Sequence, residues 1–78
     1  MMRASGWIKF FSDRGFGFVI VDGGGGEAFV HRSDLQESCR VDGELQLSPG
    51  DRVEFDVIDT GRGPRAVAVS REARDAAS

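Results

Sequence analysis

Short apolar runs separated by glycine-rich or polar breaks organise this chain. The first run covers residues 7–11 and ends at Ser12-Asp13-Arg14-Gly15. The second covers 16–21 and ends at Asp22 and four glycines, Gly23 to Gly26. The third covers 27–31, and a long polar stretch follows to about Gly50. The fourth covers 52–58 and ends at Asp59-Thr60-Gly61-Arg62-Gly63-Pro64. The fifth covers 65–70. Phe, Val and Ile dominate these runs, and runs this short bounded by glycine predict strands rather than helices before residue 70. Several short strands at close spacing predict a small all-β barrel or sandwich. The four glycines read as a flexible hairpin loop, because no Lys-Ser/Thr pair or helix start follows to make a phosphate cradle.

Side chains alternate between the two faces of a strand. In the fourth run Val53, Phe55 and Val57 share a face opposite Glu54 and Asp56, an ordinary half-buried strand. In the fifth, Val67 and Val69 are expected in the core and Ala66 and Ala68 on the other side. The second and third runs differ. Phe16, Phe18 and Ile20 oppose Gly17, Val19 and Val21, and Phe29 and His31 oppose Ala28 and Val30. A small barrel fills its interior with compact residues. If Val19, Val21, Ala28 and Val30 fill it, then Phe16, Phe18, Phe29 and His31 stand together outside.

An exposed ring cluster is unfavourable unless something stacks on it. Nucleobases suit, since every base has a π-face, and stacking contributes roughly 1–3 kcal/mol per base. Lys9, Arg14 and Arg32 lie beside the rings in sequence and are candidates for phosphate contact; Arg62, in the last glycine-bounded loop, is a further candidate. Gly15 and Gly17, lacking side chains, are expected to let the sheet bend and a nucleic-acid strand approach. Phe55 reads as core. Phe11 is ambiguous, being in register with Trp7 and Lys9. Trp7 either extends the ring surface or covers the barrel edge.

The 78 residues leave room for one domain. A single cysteine excludes an internal disulfide, and one Cys with one His makes a structural zinc site an unpromising reading. No metal or cofactor is expected. Cys39, in the polar stretch, reads as an incidental free thiol. His31 has no Ser, Cys or carboxylate constellation beside it, so a surface stacking role is favoured over general-base catalysis, and no enzyme activity is expected. No run approaches the length of a membrane span or a secretory signal, so the cytoplasm is the expected location. The net charge is −3, a mild argument against a polyanionic partner. Residues 1–35, however, carry four basic and four acidic side chains, so the acid excess lies beyond them.

Arg14-Gly15-Phe16-Gly17-Phe18-Val19 resembles the first RNP motif of bacterial cold-shock proteins, K-G-F-G-F-I, and Ala28-Phe29-Val30-His31 resembles the second, V-F-V-H-F. Gly6-Trp7-Ile8-Lys9-Phe10-Phe11 is similar to the family's opening G-x-V-K-W-F. Pro49-Gly50-Asp51-Arg52-Val53-Glu54-Phe55 resembles the start of its fourth strand, and Gly63-Pro64-Arg65-Ala66 its G-P-Q-A. The resemblance implies a five-stranded antiparallel OB-fold barrel binding single-stranded RNA or DNA, with a role as RNA chaperone or modulator of transcription and translation. Residue by residue it implies stacking by Phe10, Phe16, Phe18, Phe29 and His31, with Lys9 and Arg14 on basic positions. On this reading residues 1–78 are one cold-shock domain, folded over about 5–70, with a disordered tail at 71–78.

The chain departs from the family pattern at named places. Phe10 stands for Trp, Ser12 for Asn and Arg32 for a further Phe. The loop from Arg32 to Gly50 is longer, lacks the usual aromatic and carries Glu37, Asp42 and Glu44. A guanidinium can itself stack on a base and pair a phosphate. The acid balance, Arg32 and the acidic loop support a second reading: a protein-interaction or strand-swapped dimerisation module on the same barrel, with weak nucleic-acid binding. A monomer is the first expectation.

Overall fold

The computed structural model describes residues 3–72. Seven strands are present among them: β1 (Arg3–Phe11), β2 (Phe16–Val21), β3 (Glu27–His31), β4 (Arg40–Val41), β5 (Glu44–Leu45), β6 (Arg52–Asp59) and β7 (Pro64–Arg71). Five of them close a barrel in the order β1-β2-β3-β7-β6, with β6 returning to β1; β4 and β5 form a separate small hairpin. The second and third strands have the bounds that alternation predicts. The first begins earlier, because Arg3, Ala4 and Ser5 pair with Asp56, Phe55 and Glu54 of β6.

The purely antiparallel expectation needs correction at one seam. β3 and β7 run parallel, with Phe29 opposite Arg65 and a parallel bridge between Leu35 and Val69. The physical reason is arithmetic. Directions can alternate around a closed ring only if the number of strands is even, so five strands must leave a parallel contact. Three short 3-10 turns, Asp22–Gly24, Arg32–Asp34 and Glu37–Cys39, also stand where no helix was expected. The first of them is an irregular turn in the glycine loop, with Gly23 and Gly24 at φ of 75° and 79°.

Ile8, Val19, Ala28, Val30, Val53, Phe55, Ala66 and Val69 fill the barrel, joined by Leu35, Cys39 and Leu47 from the connection between β3 and β6. That connection is therefore not a free polar loop. The backbone N–H of Gln36 donates to the Val69 carbonyl, and Arg71 reaches the Asp51 carboxylate at 2.7 Å and the Gln46 carbonyl at 3.3 Å. Cys39 is likewise not an exposed thiol: it is fully buried, its Sγ donates to the Val69 carbonyl at 3.5 Å, and burial pushes the thiol pKa up.

Two bulges change which side chains face inward. The register of β7 against β6 slips between Glu54 and Asp56, and Ala68 has a left-handed φ of 53°. Ala66 and Val69, three apart, consequently both point into the core, and Val67 is only half-buried, the reverse of strict alternation for 66 and 67. In β6, Val53 and Phe55 are buried but Val57 lies past the core and is exposed.

The second bulge separates Ile8 from Phe10 on β1, with Lys9 as the extra residue. Ile8 points in, Phe10 points out, and Phe11 packs partly buried against the core. Gly17 makes this possible. It faces the interior, and a Cβ there would lie 2.1 Å from the Phe10 carbonyl oxygen and 2.8 Å from the Phe11 Cα. Its missing side chain serves the approach of β1, not that of a ligand. At the C-terminal end, β7 includes Arg71, and the Glu72 N–H donates to the Arg52 carbonyl. Ordered pairing thus extends beyond the expected boundary at 70, while residues 73–78 lie outside the described residues.

Two outcomes follow from this packing. Gly17→Ala forces the β1–β2 pair apart and is expected to lower unfolding free energy by roughly 1–3 kcal/mol in urea titration. Cys39 is expected to react with an aromatic disulfide reagent only at the rate of unfolding, with the full thiol released at once in denaturant; fast labelling of the native protein would contradict its burial.

Candidate nucleic-acid interface

The outer face of β1, β2 and β3 is built in cross-strand rows. Phe10 is opposite Phe18, and Phe18 is opposite Phe29. The Phe10 and Phe18 ring centroids are 5.8 Å apart, and those of Phe18 and Phe29 are 5.8 Å apart in an edge-to-face arrangement. Phe16 and Phe29 are stacked at 6.4 Å with an interplanar angle of 21°. The four phenylalanines therefore form one continuous platform. Phe10 is 39% exposed and the other three are half-buried, leaving ring surface open to solvent.

His31 lies directly opposite Phe16 at the end of this platform. Its Nδ1 accepts from the Ser33 backbone N–H at 3.0 Å. The neutral ring then carries its proton on Nε2, which leaves one oriented donor. Trp7 is exposed opposite Ile20, one row further along. Phe11 is not brought to the platform.

Charged side chains sort themselves by pairing. Six of the described cations have a carboxylate partner: Arg3 with Asp56, Lys9 with Glu27, Arg40 with Glu37, Arg52 with Asp22 and Glu72, Arg65 with Asp34, and Arg71 with Asp51. Hydrogen bonds from Arg52 hold the Asp22 carboxyl below its usual range, and Arg40 does the same for Glu37. Among the described residues Arg14, Arg32 and Arg62 have no carboxylate partner. Arg14 is in the turn leading into Phe16, Arg32 follows His31, and Arg62 is in the β6–β7 loop. The unneutralised basic groups thus all border the ring-bearing strands, although the chain as a whole is acidic.

Their placements differ. Arg14 is exposed. Arg62 lines a cleft of about 500 Å³ together with Phe18, Phe29, Thr60, Gly63, Pro64 and Arg65. Arg32 lies over Gly15, whose φ of 94° turns the chain there, and its Nη2 donates to the Asp13 carbonyl at 3.1 Å. It borders a second cleft beside Phe11, Glu44 and Leu47, apart from the rings. Lys9 is exposed but engages Glu27 at 3.0 Å, a weak surface pair that a phosphate can replace.

Thr60, Pro64 and Arg65 are the cleft residues that alternation overlooks. The only local signal is the glycine-bounded loop with Arg62 in it. The β3–β7 contact places that loop beside Phe18 and Phe29.

The profile of the 'Cold-shock' DNA-binding domain family matches residues 4–72. The chain belongs to the cold-shock domain family. It is a nucleic-acid-binding domain and not an enzyme. It is similar to a cold shock-like protein of Aquifex aeolicus, 39% identical over 83% of this chain and 89% of that one. It is similar also to cold shock protein ScoF of Streptomyces coelicolor, 41% identical over 81% and 90%. Glycine-rich protein 2 of Nicotiana sylvestris is 43% identical over 97% of this chain, which spans only 34% of that longer protein. The drosophila Unr CSD456 structure shares the fold, with a TM-score of 0.74 at 23% identity over 95% of this chain and 28% of that one.

For a cold-shock domain with this charge pattern, Arg14→Gln and Arg62→Gln are each expected to weaken oligonucleotide binding evenly across sequences. Each should reduce the slope of log affinity against log salt by about one. A titration at several salt concentrations checks both.

Proposed function

We propose that this cold-shock domain binds single-stranded RNA and DNA by stacking successive bases on Phe10, Phe18, Phe29 and Phe16. His31 takes the end position, and Lys9, Arg14 and Arg62 contact phosphates. The continuous ring platform carries the reading. A duplex hides its base faces, whereas a single strand can splay them onto rings, with little dependence on sequence. Arg32, tied to the Asp13 carbonyl over Gly15, is given a lesser part than its place after His31 suggests. Trp7 extends the platform beyond the Phe10 row.

Keeping strands open in this way suits an RNA chaperone or a modulator of transcription or translation in the cytoplasm. The protein acts as a monomer on this reading. Leu35, Cys39 and Leu47 supply core from the very loop that a strand-swapped dimer would have to release, which favours the monomer over the interaction-module alternative.

The test is fluorescence anisotropy with labelled oligothymidine, oligouridine and a matched duplex across a salt series. Single strands are expected to bind far more tightly than duplex. Phe16→Ala and Phe29→Ala are each expected to lose roughly 1–3 kcal/mol of binding while circular dichroism reports an intact barrel. Unchanged binding by both variants would show that the bases stack elsewhere.

A further inference from the structure

We infer that the Arg65–Asp34 pair makes the cleft beside Phe18 and Phe29 a guanine-selective position within an otherwise sequence-tolerant strand site. The inference rests on the base-stacking reading above. Arg65, the second residue of β7, lies directly across the parallel seam from Phe29. Its Nε and Nη2 both donate to Asp34 Oδ2, at 2.9 and 2.7 Å. This side-on pairing engages the Nε–H and one Nη2–H. The other edge of the guanidinium, formed by Nη1 and the second Nη2 hydrogen, has no acceptor among the described residues. The side chain remains 36% exposed, while Asp34 beneath it is 18% exposed. Asp34 is thus a positioning residue that fixes a planar fork at the rim of a cleft floored by aromatic rings.

A ligand matching this arrangement has a flat apolar face and two hydrogen-bond acceptors side by side on one edge. Guanine offers O6 and N7 in that geometry. Adenine offers N7 beside an amino donor, which meets the fork with the wrong sign. Cytosine has two adjacent acceptors, O2 and N3, only on its Watson–Crick edge, and its single ring covers less of the aromatic floor than a purine; thymine and uracil have each carbonyl flanked by the N3–H donor. A phosphate also has paired oxygens, but the Asp34 carboxylate already neutralises Arg65 and repels a second anion. The neutral, dipolar edge of a base is the better fit. The cleft, at about 500 Å³, has room for a purine.

The experiment uses the full chain and oligothymidines of about eight nucleotides, with guanine substituted at each position in turn. One position is expected to bind roughly tenfold more tightly with guanine than with thymine, and 7-deazaguanine, lacking the N7 acceptor, to lose most of that gain. Arg65→Lys keeps the charge but removes the fork, and Asp34→Asn loosens it. Both are expected to bring the guanine-to-thymine ratio near one, as is Arg65→Gln, with fold checked by circular dichroism. If all-thymine strands bind but no position favours guanine in the wild type, the inference fails and the stacking reading stands. If Arg65→Gln instead weakens every oligomer equally and lowers the salt slope by about one, Arg65 is a phosphate contact and the inference fails. Binding to no single strand at all would overturn the stacking reading, and this inference with it.

Discussion

A barrel closed by five short strands has so little interior that few large side chains fit within it, and the rest of this molecule depends on that limit. Valine, isoleucine and alanine supply most of the inward positions, with Phe55 the single buried ring. The aromatic residues of β2 and β3 alternate with Val19, Ala28 and Val30 and are therefore directed outward. Their partial exposure is a consequence of the core's dimensions. Cross-strand pairing then sets rings on adjacent strands at contact distance, so a surface adapted to base faces arises from the same alternation that fills the barrel.

The bulge at Lys9 extends that surface to β1. Without it, Phe10 would follow the phase of Ile8 and face the interior. The extra residue shifts the phase so that Ile8 is buried and Phe10 completes the ring row. Gly17 permits this by giving the β1 backbone room at the point where the bulge presses closest. A glycine in the middle of a strand ordinarily weakens it. Here it is the position where core closure and the binding surface are reconciled.

Electrostatics follows from a similar division of labour. An acidic chain is a poor start for binding a polyanion, yet several carboxylates are engaged by arginines distant in the chain: Asp22 by Arg52, Asp51 by Arg71 and Asp34 by Arg65. Such pairs, exposed or only partly buried, contribute little stability individually. Their greater effect is on the local field, because they neutralise part of the acid and leave Arg14 and Arg62, which have no carboxylate partner among the described residues, beside the ring-bearing strands. Net charge describes encounter at long range, whereas contact at the surface is governed by these local charges.

Alternation along the chain determined the second and third strands, the outward direction of Phe16, Phe18, Phe29 and His31, and the β character of the whole. These are local properties, set by a period of two and by glycine breaks. The motif resemblance, carried by residues in order along the chain, pointed to the family. The sequence could not determine the phase shifts at Lys9 and Ala68, because a bulge is decided by the partner strand's register. Nor did it reveal that Cys39, Leu35 and Leu47 complete the core, since that polar segment packs only where β7 passes. The parallel seam, the role of Gly17 toward β1 and the meeting of Arg65 with Phe29 and Asp34 were likewise tertiary decisions. Closing an odd-stranded ring brings together residues far apart in the chain, and no local pattern encodes which of them will meet.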